Sequence, residues 1–172
     1  VPHTLQNIEG ILKRLKRGDY AVEQWTKLQS SGIATCAINE YAINEERGVD
    51  MSRHLISIYG KTEEQKGSGL IVATGAGSTG WYKTAAQYIH PKGNAFKSTE
   101  RIARFVLREP YPHASAYSLL EGILEEGQEL AIQSLNDRGK IYADAMEHED
   151  FKRGSKMVIS IAKEPLHVVR VA

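Results

Sequence analysis

The chain has 172 residues, enough to bury one well-filled core or two small ones, and one domain is the expectation. Its 22 Lys and Arg stand against 21 Asp and Glu, so a nucleic-acid surface or an anionic membrane is not expected as the main partner. No apolar run is long enough for a membrane span and no signal-peptide pattern is visible, which predicts a soluble protein.

Leu5, Ile8, Ile11, Leu12 and Leu15 recur at helical spacing, with Thr4 as a cap and Gly18 as a stop, so residues 4–17 read as an amphipathic helix. Lys13, Arg14, Lys16 and Arg17 form its solvated end and suit the negative C-terminal dipole. From there the chain is strand-rich. Strands are predicted over 22–28, 34–43, 54–59, 70–73, 102–108, 117–123, 129–134, 140–144, 157–162 and 167–171. Turn signals at Ser30-Ser31-Gly32, at Asn136 to Gly139 and at Arg153-Gly154-Ser155 separate them. One interior helix, from Thr79 to about Ile89, is closed by Pro91 and Gly93. The fold expected is mainly β, two packed sheets with a leading helix and one helix after a glycine-rich turn. Cys36, the single cysteine, excludes an internal disulfide and fits a reducing compartment, bacterial cytosol or an organelle matrix. Lying between Thr35 and Ala37, it is expected to be a packed core thiol.

The organising stretch runs from Gly67 to Ala86. A buried strand, Leu70 to Ala73, leads into Thr74-Gly75-Ala76-Gly77-Ser78-Thr79-Gly80 and then a helix start. The glycines at 75, 77 and 80 permit close backbone approach, and free N–H groups at a helix start suit a phosphate, a diphosphate or a ribose. Gly75 to Gly80 matches the dinucleotide pattern G-x-G-x-x-G. A Rossmann unit would also need a parallel strand ending in an acidic residue roughly 20 residues on. The next strand comes late, with Glu109 its only acidic candidate, and the flanking helices of a parallel sheet are missing. A Walker A loop is excluded because no Gly-Lys-Ser/Thr occurs. The bland alternative is a tight turn whose glycines serve geometry alone.

The run from Gly69-Leu70 through Thr74 to Trp81 resembles the C-terminal-domain signature of the NAD kinases, where a strand and a Thr-x-x-Gly-Ser-Thr turn lead into a helix. Cys36 to Ile43 resembles the strand carrying that family's Asn-Glu pair, here Asn39-Glu40. Arg108-Glu109-Pro110 and the segment from Asp144-Ala145 to Val171 are similar more loosely, closest to the mitochondrial-type branch. The resemblance implies the NAD-binding half of an enzyme that moves the terminal phosphoryl group of ATP, or of polyphosphate, to the 2′-hydroxyl of the adenosine ribose of NAD, giving NADP. It implies ATP and Mg as donor and metal in the full-length enzyme, and a homodimer or homotetramer with pockets shared between subunits. The family's Gly-Gly-Asp-Gly phosphate loop does not occur, and the first residue is Val1, so an absent N-terminal α/β lobe is expected, with residues 1–172 as the NAD-binding and oligomerisation domain. No catalytic residue is assigned within this chain, and the segment alone is expected to be inactive.

By this resemblance the nucleotide-binding residues are Asn39, Glu40, Ser68, Thr74, Gly75, Gly77, Ser78, Thr79, Gly80, Trp81 and Thr84. Asn39 offers donors and an acceptor to ribose hydroxyls, and Glu40 an acceptor. Thr74, Ser78 and Thr79 offer hydroxyls, one of which could instead cap the helix. Trp81 and Tyr82 present flat faces to a ring or a neighbouring subunit, or simply pack in the core. Thr84 falls one turn beyond Gly80 and could face the same pocket. Ser68 stands where most of the family has an aspartate; Gly75-Ala76 replaces Pro-Thr, and Gly80 replaces alanine. These departures leave the preference for NAD or NADH open.

His3, His54, His90, His113, His148 and His167 have no metal-ligand spacing, so no structural zinc is predicted. Glu147-His148-Glu149-Asp150 reads as a solvated turn between late strands rather than a cation site. Two readings from other classes compete: a diacylglycerol or sphingosine kinase-type C-terminal domain, and a non-catalytic dinucleotide-binding module. The localisation expected is cytoplasmic, with an organelle matrix as the variant.

Overall fold

A computed structural model describes residues 7–92, 94–111 and 117–171. Thr4, Leu5, Gly93, His3 and His113 lie outside the described residues. The architecture is mainly β, as expected: two antiparallel sheets enclose the core and a two-stranded ribbon stands beside them.

The strands are β1 (Ala21–Trp25), β2 (Leu28–Ser30), β3 (Glu40–Glu45), β4 (Ser52–Ile58), β5 (Lys61–Gly67), β6 (Gly69–Ala73), β7 (Ile102–Arg108), β8 (Glu121–Glu125), β9 (Leu130–Ser134), β10 (Gly139–Ala143), β11 (Glu147–Asp150), β12 (Lys156–Ile161) and β13 (Leu166–Arg170). Six form one sheet in the order β11-β10-β3-β6-β7-β8, and five form the other in the order β2-β12-β9-β4-β5. The ribbon pairs β1 with β13. Alternation builds the interior. Tyr41, Ile43, Leu70, Val72, Phe105 and Ile141 of the first sheet meet Leu28, Ile56, Leu130, Ile132 and Ile159 of the second in one buried cluster.

Helix α1 (Ile8–Arg17) ends at Gly18, as read from the sequence. Gly18 is left-handed (φ 77) and its N–H reaches the carbonyls of Arg14 and Leu15. No residue of α1 is buried.

The interior helix is shorter than expected. A 3₁₀ turn (Gly77–Thr79) precedes α2 (Trp81–Ala86), and no side chain caps either. Tyr82, Ala85 and Ala86 of α2 pack on Ile71, Ala73 and Val106, the outer face of the six-stranded sheet. That second buried face explains why β6 is buried at every position rather than at alternate ones.

Three other expectations are corrected. Residues 34–39 are not strand, apart from a single bridge between Ala37 and Leu28, and at Ile38 and Asn39 a side chain takes the backbone N–H groups (below). Cys36 is exposed, since this irregular stretch turns it away from the core. Glu147–Asp150 is an edge strand paired with β10, with all four residues exposed, so the solvated reading holds but the turn does not. A further strand goes unread in the sequence. β5, Lys-Thr-Glu-Glu-Gln-Lys-Gly, carries little apolar signal; it pairs with β4 through a tight turn at Tyr59 (φ 56) and Gly60 (φ 71).

Candidate functional site

The glycine-rich turn begins where β6 leaves the sheet, and its first residue organises it. Thr74 is fully buried. Its Oγ1 donates to the carbonyl of Ile38 at 2.5 Å and accepts the N–H groups of Ala76 and Gly77 at 3.1 and 3.4 Å. Its own N–H reaches the carbonyl of Asn39 at 2.9 Å. One side chain thus ties the turn to the stretch carrying Asn39 and Glu40. Ser78, also buried, donates to the carbonyl of Gly75 at 2.7 Å and accepts the N–H of Phe96 at 3.2 Å. Thr74 and Ser78 are therefore turn-forming hydroxyls, each fully employed inside the chain.

The glycines divide. A Cβ on Gly75 would lie 2.0 Å from the carbonyl oxygen of Lys97, and one on Gly77 would lie 2.3 Å from that of Asn39. At both, the close approach expected of a ligand is made by the protein's own backbone. At Gly80 the nearest atom to such a Cβ is 3.5 Å away, an ordinary contact, so no close approach requires glycine there.

Asp144 is the residue the sequence reading left out of the site. Its carboxylate accepts the N–H groups of Ile38 at 2.8 Å, Asn39 at 2.7 Å and Glu40 at 3.0 Å. Both Asp144 (φ 50) and Ala145 (φ 57) are left-handed, so the chain doubles back just after β10 to aim this carboxylate. Such a nest of three N–H groups would otherwise bind an anion from solution. The available signal was an Asp-Ala pair directly after an alternating strand, a position where Asp commonly binds nearby backbone.

Asn39 and Glu40 remain free for a ligand. Asn39 is exposed and Glu40 half-buried, and neither side chain makes a hydrogen bond among the described residues. Glu40 Oε2 lies 2.9 Å from where a Gly77 Cβ would sit, so the carboxyl is held against the turn. Burial, and then the nearby charge of Asp144, push its pKa up from the ordinary carboxylate value. Two carboxylates beside one turn repel a bare phosphate and favour hydroxyl donors. A vicinal diol, each hydroxyl both donor and acceptor, matches the amide of Asn39 and the carboxyl of Glu40. Of the ligands the turn alone suggested, a ribose fits this face best.

The remaining residues separate. Thr79, at the turn, and Trp81 and Thr84, on α2, are exposed, while Tyr82 is core. Trp81 is covered on one face by the guanidinium of Arg108, 4.5 Å from the ring centroid. Ser68 is not brought to the turn. It precedes β6 while Thr74 follows it, about 20 Å away along an extended chain. There Ser68 donates to the Glu109 carboxylate and borders a cavity of about 260 Å3 with Met51 and Tyr111. No group of three or more His, Cys, Asp or Glu side chains among the described residues could hold a metal ion. No described helix is long and apolar enough to cross a membrane.

The fold that carries this turn is that of the NAD kinases. An NAD kinase from Archaeoglobus fulgidus, solved in complex with ATP, superposes with a TM-score of 0.75 at 19% identity, covering 94% of this chain and 60% of that one. Yeast NADH kinase, solved with NADH, gives a TM-score of 0.79 at 15% identity, covering 96% of this chain and 49% of that one. In sequence the chain is 29% identical over 144 residues to a probable NADH kinase of Oryza sativa subsp. japonica. That match covers 83% of this chain and 39% of the rice protein, so the chain spans well under half the length of this relative. No protein-family model matches the sequence. The resemblance to NAD kinases read from Thr74 to Trp81 and from Asn39-Glu40 is thus borne out in sequence and in fold.

Proposed function

We propose that this chain is the nucleotide-binding part of an NAD kinase-like phosphotransferase, which places a phosphoryl group on the 2′-hydroxyl of the adenosine ribose of NAD or NADH. The observation that carries the reading is the pairing of Asn39 and Glu40, unengaged, with a turn locked behind them by Thr74 and Asp144. Catalysis of phosphoryl transfer is mostly positioning and electrostatics, and this part of the chain is built for positioning. Asn39 and Glu40 hold the diol. ATP is the proposed donor. Mg2+, which neutralises the polyphosphate charge when bound, is the proposed metal and would be held in part by the phosphates. The kinase names of the relatives favour this reading over the lipid-kinase type and the non-catalytic module.

Ser68 enters this reading only through assembly. It sits at the far end of β6 from the turn, and a homodimer or homotetramer with shared pockets would bring it to a nucleotide held by a second copy. A single cysteine, exposed and unpaired, suits a reducing compartment, the cytoplasm or an organelle matrix.

Calorimetric titration of NAD, NADH, NADP and ATP into the chain tests the proposal. Dinucleotide binding that falls at least about tenfold in Asn39→Ala, the loss of one or two hydrogen bonds, is expected. Binding unaffected by Asn39→Ala would move the site elsewhere and end this reading.

A further inference from the structure

Helix α1 has ten residues and buries none of them. Helices of this length are marginal in water on their own, and in proteins most of their stability comes from covering an apolar face. Such a face is present. At about 100° per residue, Ile8, Ile11, Leu12 and Leu15 share an arc of about 100° on one side of the helix. Ile8 is 52% exposed, Leu12 50% and Leu15 37%, so the arc lies open.

The rest of the helix is basic. Lys16 borders the arc on one side and Arg14 on the other, Lys13 and Arg17 lie on the opposite face, and Glu9 is the single acidic residue of the helix. Lys13, Lys16 and Arg17 make no ion pair or hydrogen bond among the described residues. The overall balance of charge, which speaks against an anionic membrane, hides this local excess of four basic residues over one acidic in a chain of net charge +1.

These charges select what covers the arc. Protein–protein interfaces are depleted in lysine relative to the rest of the surface. A second copy of the chain offers an acidic strand, Glu147–Asp150, but no apolar residue on it to cover Ile8, Leu12 and Leu15. A groove that encloses a helix needs it free on most sides, whereas Ile11 and Arg14 are half-buried and Arg14 borders a cleft with Tyr20, Ala21, Arg170 and Val171. A flat surface needs one side only. The surface of an anionic bilayer supplies acyl chains to the arc and opposite charge to the lysines and arginines around it, whose long stems lie along the apolar face while their heads stay in water.

We propose that α1 is a membrane-surface anchor, lying in the headgroup layer of an anionic bilayer with Ile8, Leu12 and Leu15 inserted and Lys13, Lys16 and Arg17 meeting headgroup charge. The contact is peripheral, since no described helix is long and apolar enough to cross a membrane. It stands whether or not the glycine-rich turn binds a dinucleotide.

The experiment is sedimentation of the chain with vesicles of an equal mixture of phosphatidylcholine and phosphatidylglycerol, and with vesicles of phosphatidylcholine alone. Binding to the mixed vesicles, weakened by added salt and lost on the neutral ones, is expected. Lys13→Gln combined with Lys16→Gln should weaken it about thirtyfold, and Leu12→Ser about tenfold. Because α1 buries no residue, these variants should unfold at the wild-type temperature, which separates lost binding from lost folding. Lys61→Gln combined with Lys156→Gln removes two exposed charges elsewhere and should leave binding unchanged. Absence of binding to the mixed vesicles overturns the anchor, as does equal binding to both kinds. Wild-type affinity in Leu12→Ser overturns it too, because the apolar arc would then have no part in the contact. An equal loss in both lysine pairs would mean adhesion by overall charge, and a self-associated chain that Leu12→Ser dissociates without any vesicle binding would assign the arc to a second copy; either result ends the proposal.

Discussion

The two ends of β6 treat polar groups in opposite ways. At the Ala73 end, Thr74, Ser78 and Asp144 bind backbone groups one for one, and Gly75 and Gly77 let main chain rest on main chain. At the Gly69 end, the surface carries the exposed pair Ser68–Glu109, and the interior beneath it is polar and only partly satisfied. There Ser52, His54, Gln65, Ser134 and Asn136 are all buried, yet His54 Nδ1 and Gln65 Oε1 have no partner. Backbone locks fix a shape that a ligand meets ready-made, whereas a polar interior with open valences yields to conditions. Rigidity is therefore expected at the turn, and sensitivity to pH and sequence at the other end.

The sharpest way to break this contrast is to add a methyl group at the rigid end. Gly75→Ala and Gly77→Ala each force a Cβ into a carbonyl oxygen that belongs to backbone and cannot swing aside. A loss of about 4 kcal/mol, or failure to fold, is expected for each, because overpacking against main chain has no cheap relaxation. Gly80→Ala meets no close atom, so its cost is limited to holding a Cβ residue at φ −93° and ψ −126°, outside the ordinary helix and strand regions, and should be about 1–2 kcal/mol. Thermal unfolding of the three variants decides it; similar midpoints for all three would mean that the turn is not locked.

At the other end the lever is acid. Asn136 Oδ1 accepts the N–H of Arg53 at 2.6 Å, so its amide nitrogen is the group 3.1 Å from His54 Nε2. Nε2 must then accept, and the proton of neutral His54 sits on Nδ1. Burial depresses the pKa of this histidine to about 4 from 6.5. The unfolded chain therefore binds the proton first. The stability this group contributes is complete above pH 6.5 and is lost as pH falls from 6.5 to about 4. The loss is about 3 kcal/mol across that window. Urea unfolding at pH 7 and pH 4.5 should show it in the wild type and much less of it in His54→Gln. An equal acid loss in both would place the sensitivity elsewhere.

The third prediction returns to the turn. Asp144→Asn keeps a residue that tolerates the left-handed backbone but leaves one neutral oxygen where a carboxylate served three N–H groups. A cost of about 2 kcal/mol is expected. Because Asp144 positions the backbone of Asn39, dinucleotide affinity is expected to fall in this variant as well. A stability loss with unchanged affinity would separate the lock from the site.

The same contrast explains what could be read in the sequence. β6, β7, β9 and β12 were legible because burial on one face or two leaves a period or a run in the residues themselves. The glycine-rich turn was legible as a turn, and Asn39-Glu40 as a polar pair beside it. The lock was not, since the partners Thr74–Ile38 and Asp144–Asn39 stand 36 and 105 residues apart and only the sheet order brings them together. β5 was hidden for a different reason. Its charges face solvent and pair across the strands, Arg53 with Glu64 at 2.6 Å, and such pairs leave no apolar pattern. Cys36 misled because small neighbours look like core until an irregular backbone turns them outward.

The smallest expected effect tests the loose end. Ser68→Ala removes one exposed hydrogen bond to Glu109, and stability should change by less than about 0.5 kcal/mol. Its consequence for binding depends on a neighbour. Along extended chain Ser68 lies about 20 Å from Thr74, so it is not expected to touch the ribose held by Asn39 of the same copy. If pockets are shared, Ser68→Ala should alter dinucleotide affinity at protein concentrations where copies associate and leave it unchanged where they are apart. Sedimentation and titration on the same samples read both. A concentration-independent change would place Ser68 in its own copy's site, and the separation of the two ends would no longer hold.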